Sequence, residues 1–183
     1  SNDCTTAGAG TSTSGNMLIN CVSINDAIGF AGAIGTHLGV IGSTLHEAPG
    51  DAVSTFGLNA IFLSSLFTSN TGDAIDFSDA TTHPATAFVV NNAFRGNGAV
   101  YETSPPTANI AGSVTLTGDP YTNEATDDLS PNNTAGAGAS LRNAGIDTYG
   151  QTDNRVIGAV QEAAAAASGG LLTHCGMSGG MRA

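Results

Sequence analysis

The chain has 183 residues and a formal net charge of −11, with four arginines as its only fixed cations. So acidic a surface lacks the basic face that phosphate contacts need and repels anionic lipid, which excludes nucleic acid and membranes as partners. With 25 glycines, no tryptophan and only 10% charged residues, it reads neither as a long-helix protein nor as a highly charged disordered chain, which leaves a turn-rich, strand-rich domain.

Residues 1–16 are small and polar. They contain no basic n-region and no apolar h-region, so no signal peptide is read: either a leader has been removed or there was none. No run reaches the ~18 apolar residues of a membrane span. From Met17 onward a short phrase repeats: Ile19-Asn20-Cys21, Ile41-Gly42-Ser43, Leu63-Ser64-Ser65 and Val90-Asn91-Asn92, spaced by 22, 22 and 27 residues. A period in that range marks stacked structural units.

The third and fourth units align with one gap, matching Leu63 to Val90, Phe67 to Phe94 and Asn70 to Asn97. Each holds a short β-rich run, a polar corner, a second run, an Asn/Gly turn and a third run. Such runs are too short for helices, and Asn and Gly accept the backbone angles of sharp corners. Three short strands per turn is the geometry of a parallel β-helix, in which each coil buries its apolar face only by stacking on its neighbours. The expected fold is therefore all-β, with about five short coils. Ile19, Ile41, Leu63 and Val90 are read as one inward-facing stack, joined in the core by Phe67 and Phe94.

After Val100 the pattern loosens. Pro105-Pro106 ends a run, and a fifth coil is read at Ile110 and Val114-Thr115-Leu116. Residues 127–141 read as a terminal wrap and Val156–Val160 as a last strand. Residues 162–183 read as an Ala/Gly-rich linker and C-terminal arm. The domain plan is thus 1–16, a β-helix over 17–161, and 162–183.

The wrap DLSPNNTAGAGASLRNAG (128–145) followed by VIGAVQ (156–161) resembles the closing portion of bacterial and phage right-handed parallel β-helix proteins, with Val156 where those have Asp. The coils FVVNNAFRGNGAVY (88–101) and FLSSLFTSNTGDAIDF (62–77) are similar to pectate-lyase-like repeats. The resemblance implies right-handed winding. The tail GGLLTHCGMSGGMRA (169–183) resembles the C-terminal ends of phage structural proteins, and the two resemblances together imply a virion component that decorates or builds a capsid or fibre, works as a homotrimer, and reaches neighbouring proteins through an arm bearing Leu171, Leu172, Met177, Met181 and Arg182. The alternatives are a tail-spike-like polysaccharide lyase or hydrolase, or a carbohydrate-binding adhesin outside the cell.

The site residues decide between these readings at the level of sequence. The best acidic group is Asp73, Asp76 and Asp79. Aligned acids on the next coil would make it a metal or catalytic site, but Asn97 to Tyr101 supply none, so the group is read as a solvated corner. His37, His46, His83 and His174 form no metal spacing. Cys4, Cys21 and Cys175 form neither a CxxC nor an even set. The expectation is a scaffold with no cofactor and no catalytic residue.

Overall fold

Short β-rich runs broken by polar corners stack into parallel sheets. The structure, a computed structural model, describes residues 16–25, 30–32, 37–55, 59–77, 86–102, 109–142, 144–145 and 156–158. Three turns are complete: β1 (Asn16–Ile19), β2 (Val22–Ile24) and β3 (Phe30–Gly32); β4 (His37–Ile41), β5 (Thr44–His46) and β6 (Val53–Thr55); β7 (Asn59–Leu63), β8 (Leu66–Thr68) and β9 (Ile75–Asp76). The stack continues through β10 (Thr86–Val90), β11 (Ala93–Arg95), β12 (Ile110–Ala111) and β13 (Val114–Thr115). The first strands of each turn form sheet A, β1-β4-β7-β10-β12; the second form sheet B, β2-β5-β8-β11-β13; the third form sheet C, β3-β6-β9. All three are parallel, as a β-solenoid requires.

The repeated phrase is the corner between sheets A and B. Its first polar residue takes a left-handed backbone: Asn20, Gly42, Ser64, Asn91 and Gly112 have φ of 51°, 54°, 49°, 52° and 64°. Asn, Ser and Gly tolerate this better than a β-branched residue. The second polar residue turns inward and carries a ladder. The backbone N–H groups of Cys21, Ser43, Ser65 and Asn92 donate to side-chain oxygens of Ser43, Ser65, Asn92 and Ser113, one coil further on. Asn92 Nδ2 also donates to the Phe62 carbonyl at 2.9 Å. Polar atoms that would be costly to bury unpaired are thereby satisfied.

The corner also shifts the expected core stack by one residue. Ile19, Ile41, Leu63 and Val90 do stand in register, but they are only half-buried. The inward row is the preceding residue of each strand: Leu18, Val40, Phe62, Val89 and Ile110. Strand side chains alternate faces, so a one-residue difference sends the whole column to the other side. Phe67 and Phe94 are buried inside sheet B and stack at 5.4 Å between ring centroids. Sheet C closes the core with Val53, Ile75 and Tyr101 in register.

The described part of the C-terminal segment covers the side of the stack. Sheet B presents an apolar outer row, Val22, Thr44, Leu66, Ala93 and Val114. Against Leu66 and Ala93 pack Leu116, Tyr121, Leu129, Leu141, Val156 and Ile157, making a second core outside the solenoid. The covering chain forms an antiparallel hairpin of β14 (Tyr121–Asn123) and β15 (Asp128–Pro131), then one short helix, α1 (Gly138–Leu141). Asn132 clasps it, donating from Nδ2 to the carbonyls of Asp119 and Tyr121 and accepting at Oδ1 from the N–H of Thr134 and Gly138. Val156 and Ile157 are buried but lie outside any strand, so the described part of the expected last strand does not form. Gly158 N–H donates to the Ser64 carbonyl at the sheet A–B corner. With φ of +105° and a Cβ that would lie 2.8 Å from Thr44 Oγ1, no other residue fits there comfortably. The expected arm, with Leu171, Leu172, Met177, Met181 and Arg182, lies outside the described residues.

Candidate metal centre

Sheet B has a second outward row: Ile24, His46, Thr68 and Arg95 in register. An imidazole facing outward from a strand would normally be exposed, but His46 retains only 2% of its surface because the β14–β15 hairpin lies over it. Tyr121 packs edge-on against the His46 ring at 5.1 Å between centroids. His46 Nδ1 is 2.9 Å from Thr68 Oγ1, which in turn is 2.5 Å from the Tyr121 hydroxyl. This chain of hydrogen bonds fixes the ring and leaves Nε2 facing the opening of the site. Burial pushes the Tyr121 hydroxyl far above the ordinary tyrosine range, so it stays protonated.

Two carboxylates face Nε2. Glu47 Oε1 lies 3.7 Å away and Glu124 Oε1 3.5 Å away. Glu47 sits at the corner after β5 with φ of 56°. Glu124 opens a single 3-10 turn, Glu124–Thr126, at the tip of the hairpin. The three ligand atoms lie within 4.8 Å of one another. Zinc bound at ~2.0–2.2 Å in a tetrahedron holds its ligand atoms about 3.4 Å apart, so the two distances from Nε2 need little adjustment. One nitrogen and two carboxylate oxygens suit a first-row divalent ion. The side chain of Glu47 is 50% exposed and that of Glu124 is 27% exposed, so the site opens toward solvent on the carboxylate side. Glu124 Oε1 also accepts from Ser69 Oγ at 3.2 Å and lies 4.0 Å from Arg95 Nη1.

This cluster overturns the expectation of a purely non-catalytic scaffold. Its ligands come from a strand, the adjoining corner and the tip of a remote hairpin, a combination with no sequence spacing to betray it. The repeat spacing of 22 and 27 residues carries His46 onto Thr68 and Thr68 onto Arg95, a register the sequence reading did not draw; no sequence pattern shows that residues 121–131 fold back over that face.

The acidic group found from sequence is arranged differently from the expectation. Asp76 points outward from sheet C and is buried to 4% exposure. Asp73 is half-buried at the preceding corner, and its N–H donates to Asp51 Oδ1 at 2.7 Å. Asp79 lies outside the described residues. The next coil does carry a matching acid: Ile75 pairs with Tyr101, so Glu102 stands beside Asp76. The hydrogen bond to Asp76, followed by the charge of Asp76 itself, pushes the Glu102 carboxyl up to about 7. Cys21 Sγ lies 3.3 Å from the Ile19 carbonyl, and Cys4 and Cys175 are outside the described residues.

Among the described residues no helix is long and apolar enough to cross a membrane. No protein-family model matches the chain, and no curated protein and no solved structure matches it either. What stands from the sequence resemblance is the architecture: the chain is an all-β parallel solenoid with a covered lateral face.

Proposed function

We propose that the chain is a polysaccharide-degrading enzyme, a lyase or hydrolase of tail-spike type, with its chemistry centred on His46, Glu47 and Glu124. The observation that carries this reading is the approach of a buried imidazole nitrogen and two carboxylate oxygens within 4.8 Å. A divalent ion held there supplies Lewis acidity toward a substrate oxygen or carboxylate. Thr68 and Tyr121 hold the His46 ring so that Nε2 serves as a ligand. Arg95, on the same outer row, offers a fixed positive charge for an anionic sugar. An elongated stack of coils suits a chain-like substrate lying along it.

The experiment is depolymerisation of acidic capsular or pectic polysaccharide by the purified chain with added zinc or manganese. Turnover should stop with chelator and fall by about 10²-fold or more in His46→Ala, since a metal site stripped of a ligand loses its charge stabilisation. An unsaturated, ultraviolet-absorbing product identifies a lyase; new reducing ends without it identify a hydrolase. Full turnover in His46→Ala would contradict the assignment.

A second reading, assembly into a larger particle, has its own observation. The outer face of sheet A carries Met17, Ile61 and Phe88 in register, exposed to 57%, 42% and 46%. Contiguous exposed apolar side chains mark interaction surfaces. We propose that this face packs against another copy of the chain in a trimer within a virion or fibre, with the right-handed winding and about five coils expected from the sequence. Sedimentation of the 18.0 kDa chain as a trimer supports it, and sedimentation as a monomer at high concentration contradicts it.

A further inference from the structure

The third and fourth coils are joined across sheet C by a ladder that loosens as it runs. Ala74 N–H donates to the Ala99 carbonyl at 2.9 Å, Ile75 N–H to the Val100 carbonyl at 3.2 Å, and Glu102 N–H to the Ile75 carbonyl at 3.4 Å. The last is a weak hydrogen bond. Ile75 and Tyr101 pair there as a single bridge, where the coils before them pair over whole strands. Strand side chains alternate faces. Tyr101 therefore turns inward against Phe77 and Phe94, with ring centroids 6.0 and 5.8 Å away. Asp76 and Glu102 stand beside each other on the outer face of adjacent rungs.

Like charges one rung apart, ~4.8 Å between parallel strands, oppose pairing. Here a hydrogen bond joins the Glu102 carboxyl to Asp76 instead. One proton between two carboxyl groups turns repulsion into a bond. No cation among the described residues takes that part. The chain has no lysine. Arg95 lies by Glu124, and Arg142 donates to the carbonyls of Pro131 and Asn132. The other charged groups that act on Glu102 are Asp51, at the corner before β6, and Asp73, at the corner before β9, and both add negative charge. Asp76 is 4% exposed, and its Oδ1 is buried with no hydrogen-bond partner. A second charge placed beside it meets a carboxylate that water screens poorly.

We propose that Asp76 and Glu102 form a proton-operated latch, which closes the fourth coil onto the third and opens when the shared proton leaves. In the closed state the Glu102 carboxyl donates to the Asp76 carboxylate. Loss of that proton to water leaves two carboxylates on adjacent rungs, with Asp51 and Asp73 adding to the repulsion. At the pair itself only the 3.4 Å backbone bond then opposes separation. The hydrogen bond to Asp76, followed by the charge of Asp76, raises the Glu102 carboxyl from 4.5 to about 7. A proton held more tightly in the closed state stabilises that state fully below the open-state pKa, and the gain is lost as pH rises through the closed-state value. The latch is therefore shut in mildly acidic solution and released above neutrality. It uses no residue of the His46 centre, so each stands or falls without the other.

The test is NMR of the full chain, following the Glu102 carboxyl carbon and amide hydrogen exchange corrected for the intrinsic effect of pH. From about pH 5 to about pH 8 the Ile75 and Glu102 amides should lose protection by about tenfold or more, while sheet A amides keep theirs. Glu102 is exposed, so Glu102→Gln keeps the fold, and its amide can still donate to Asp76 without titrating. In that variant the amides at positions 75 and 102 should stay protected across the same range. In Asp76→Asn the Glu102 carboxyl should titrate well below its parent midpoint. A parent Glu102 that titrates in the ordinary carboxylate range would overturn the proposal. So would a loss of protection as large in Glu102→Gln as in the parent, or one spread equally over sheets A and C.

Discussion

At the scale of single residues, polar groups decide where the chain turns and what it can hold. Asn92 is buried, with its side chain accepting from Ser65 N–H and donating to the Phe62 carbonyl. Asn92→Ala leaves both without partners and should cost about 1–3 kcal/mol in urea unfolding. The neighbouring Asn91 is different, because its backbone is left-handed with φ of 52°. Asn91→Gly keeps that backbone and loses only the Nδ2 bond to the Ala144 carbonyl at 3.2 Å, so it should cost about 0.5–1.5 kcal/mol by the same measurement. Thr68 bridges His46 and Tyr121. Thr68→Val should weaken metal binding by about 10–100-fold, as loss of an outer-shell partner does, while leaving all three candidate ligands in place. Calorimetry with zinc checks this, and unchanged affinity would show that the relay does not position the ring.

At the scale of elements, the coils were legible and the cover was not. The Ile-Asn-Cys and Leu-Ser-Ser phrases announce the corners because a left-handed backbone needs small or amide residues, and their spacing announces the stack. The facing of the strands was misplaced by one residue because a polar corner residue, Ser65 or Asn92, turns inward and satisfies the ladder, while Leu63 and Val90 turn outward. Apolar pattern alone cannot show this. Glu102 was missed because the coil alignment stopped at Tyr101, one residue short of the pair with Asp76. The hairpin over sheet B left no periodic trace, since residues 116–142 belong to no coil. Its role is testable through Leu141, which is fully buried in the second core. Leu141→Ala should cost about 2–5 kcal/mol and should also weaken metal binding, because Glu124 rides on the covering segment. Loss of stability with metal affinity intact would separate the cover from the site.

At the scale of the whole molecule, two tyrosines report the integrity of both cores. Burial pushes the Tyr101 hydroxyl from its ordinary 10.0 up to about 12 and raises Tyr121 further. A group whose proton is held more tightly when folded contributes stability below its unfolded pKa and loses that contribution as pH rises through the folded value. The urea midpoint should therefore fall as pH rises from about 10 toward 12, separately from the change that Glu102 brings as pH rises through about 7. Phenolate absorbance of Tyr101 and Tyr121 should rise with that loss of structure. Ionisation of both near pH 10 with the fold intact would contradict the burial of these rings.

The stacked coils supply a rigid wall, the C-terminal hairpin folds over one face of it, and His46 lies between them with Glu47 and Glu124. The most direct test of that account is zinc titration of the purified chain by calorimetry, beside His46→Ala and Glu124→Gln. The account predicts one zinc ion per chain, bound by the parent and lost in both variants. Zinc binding of equal affinity in all three chains would contradict it.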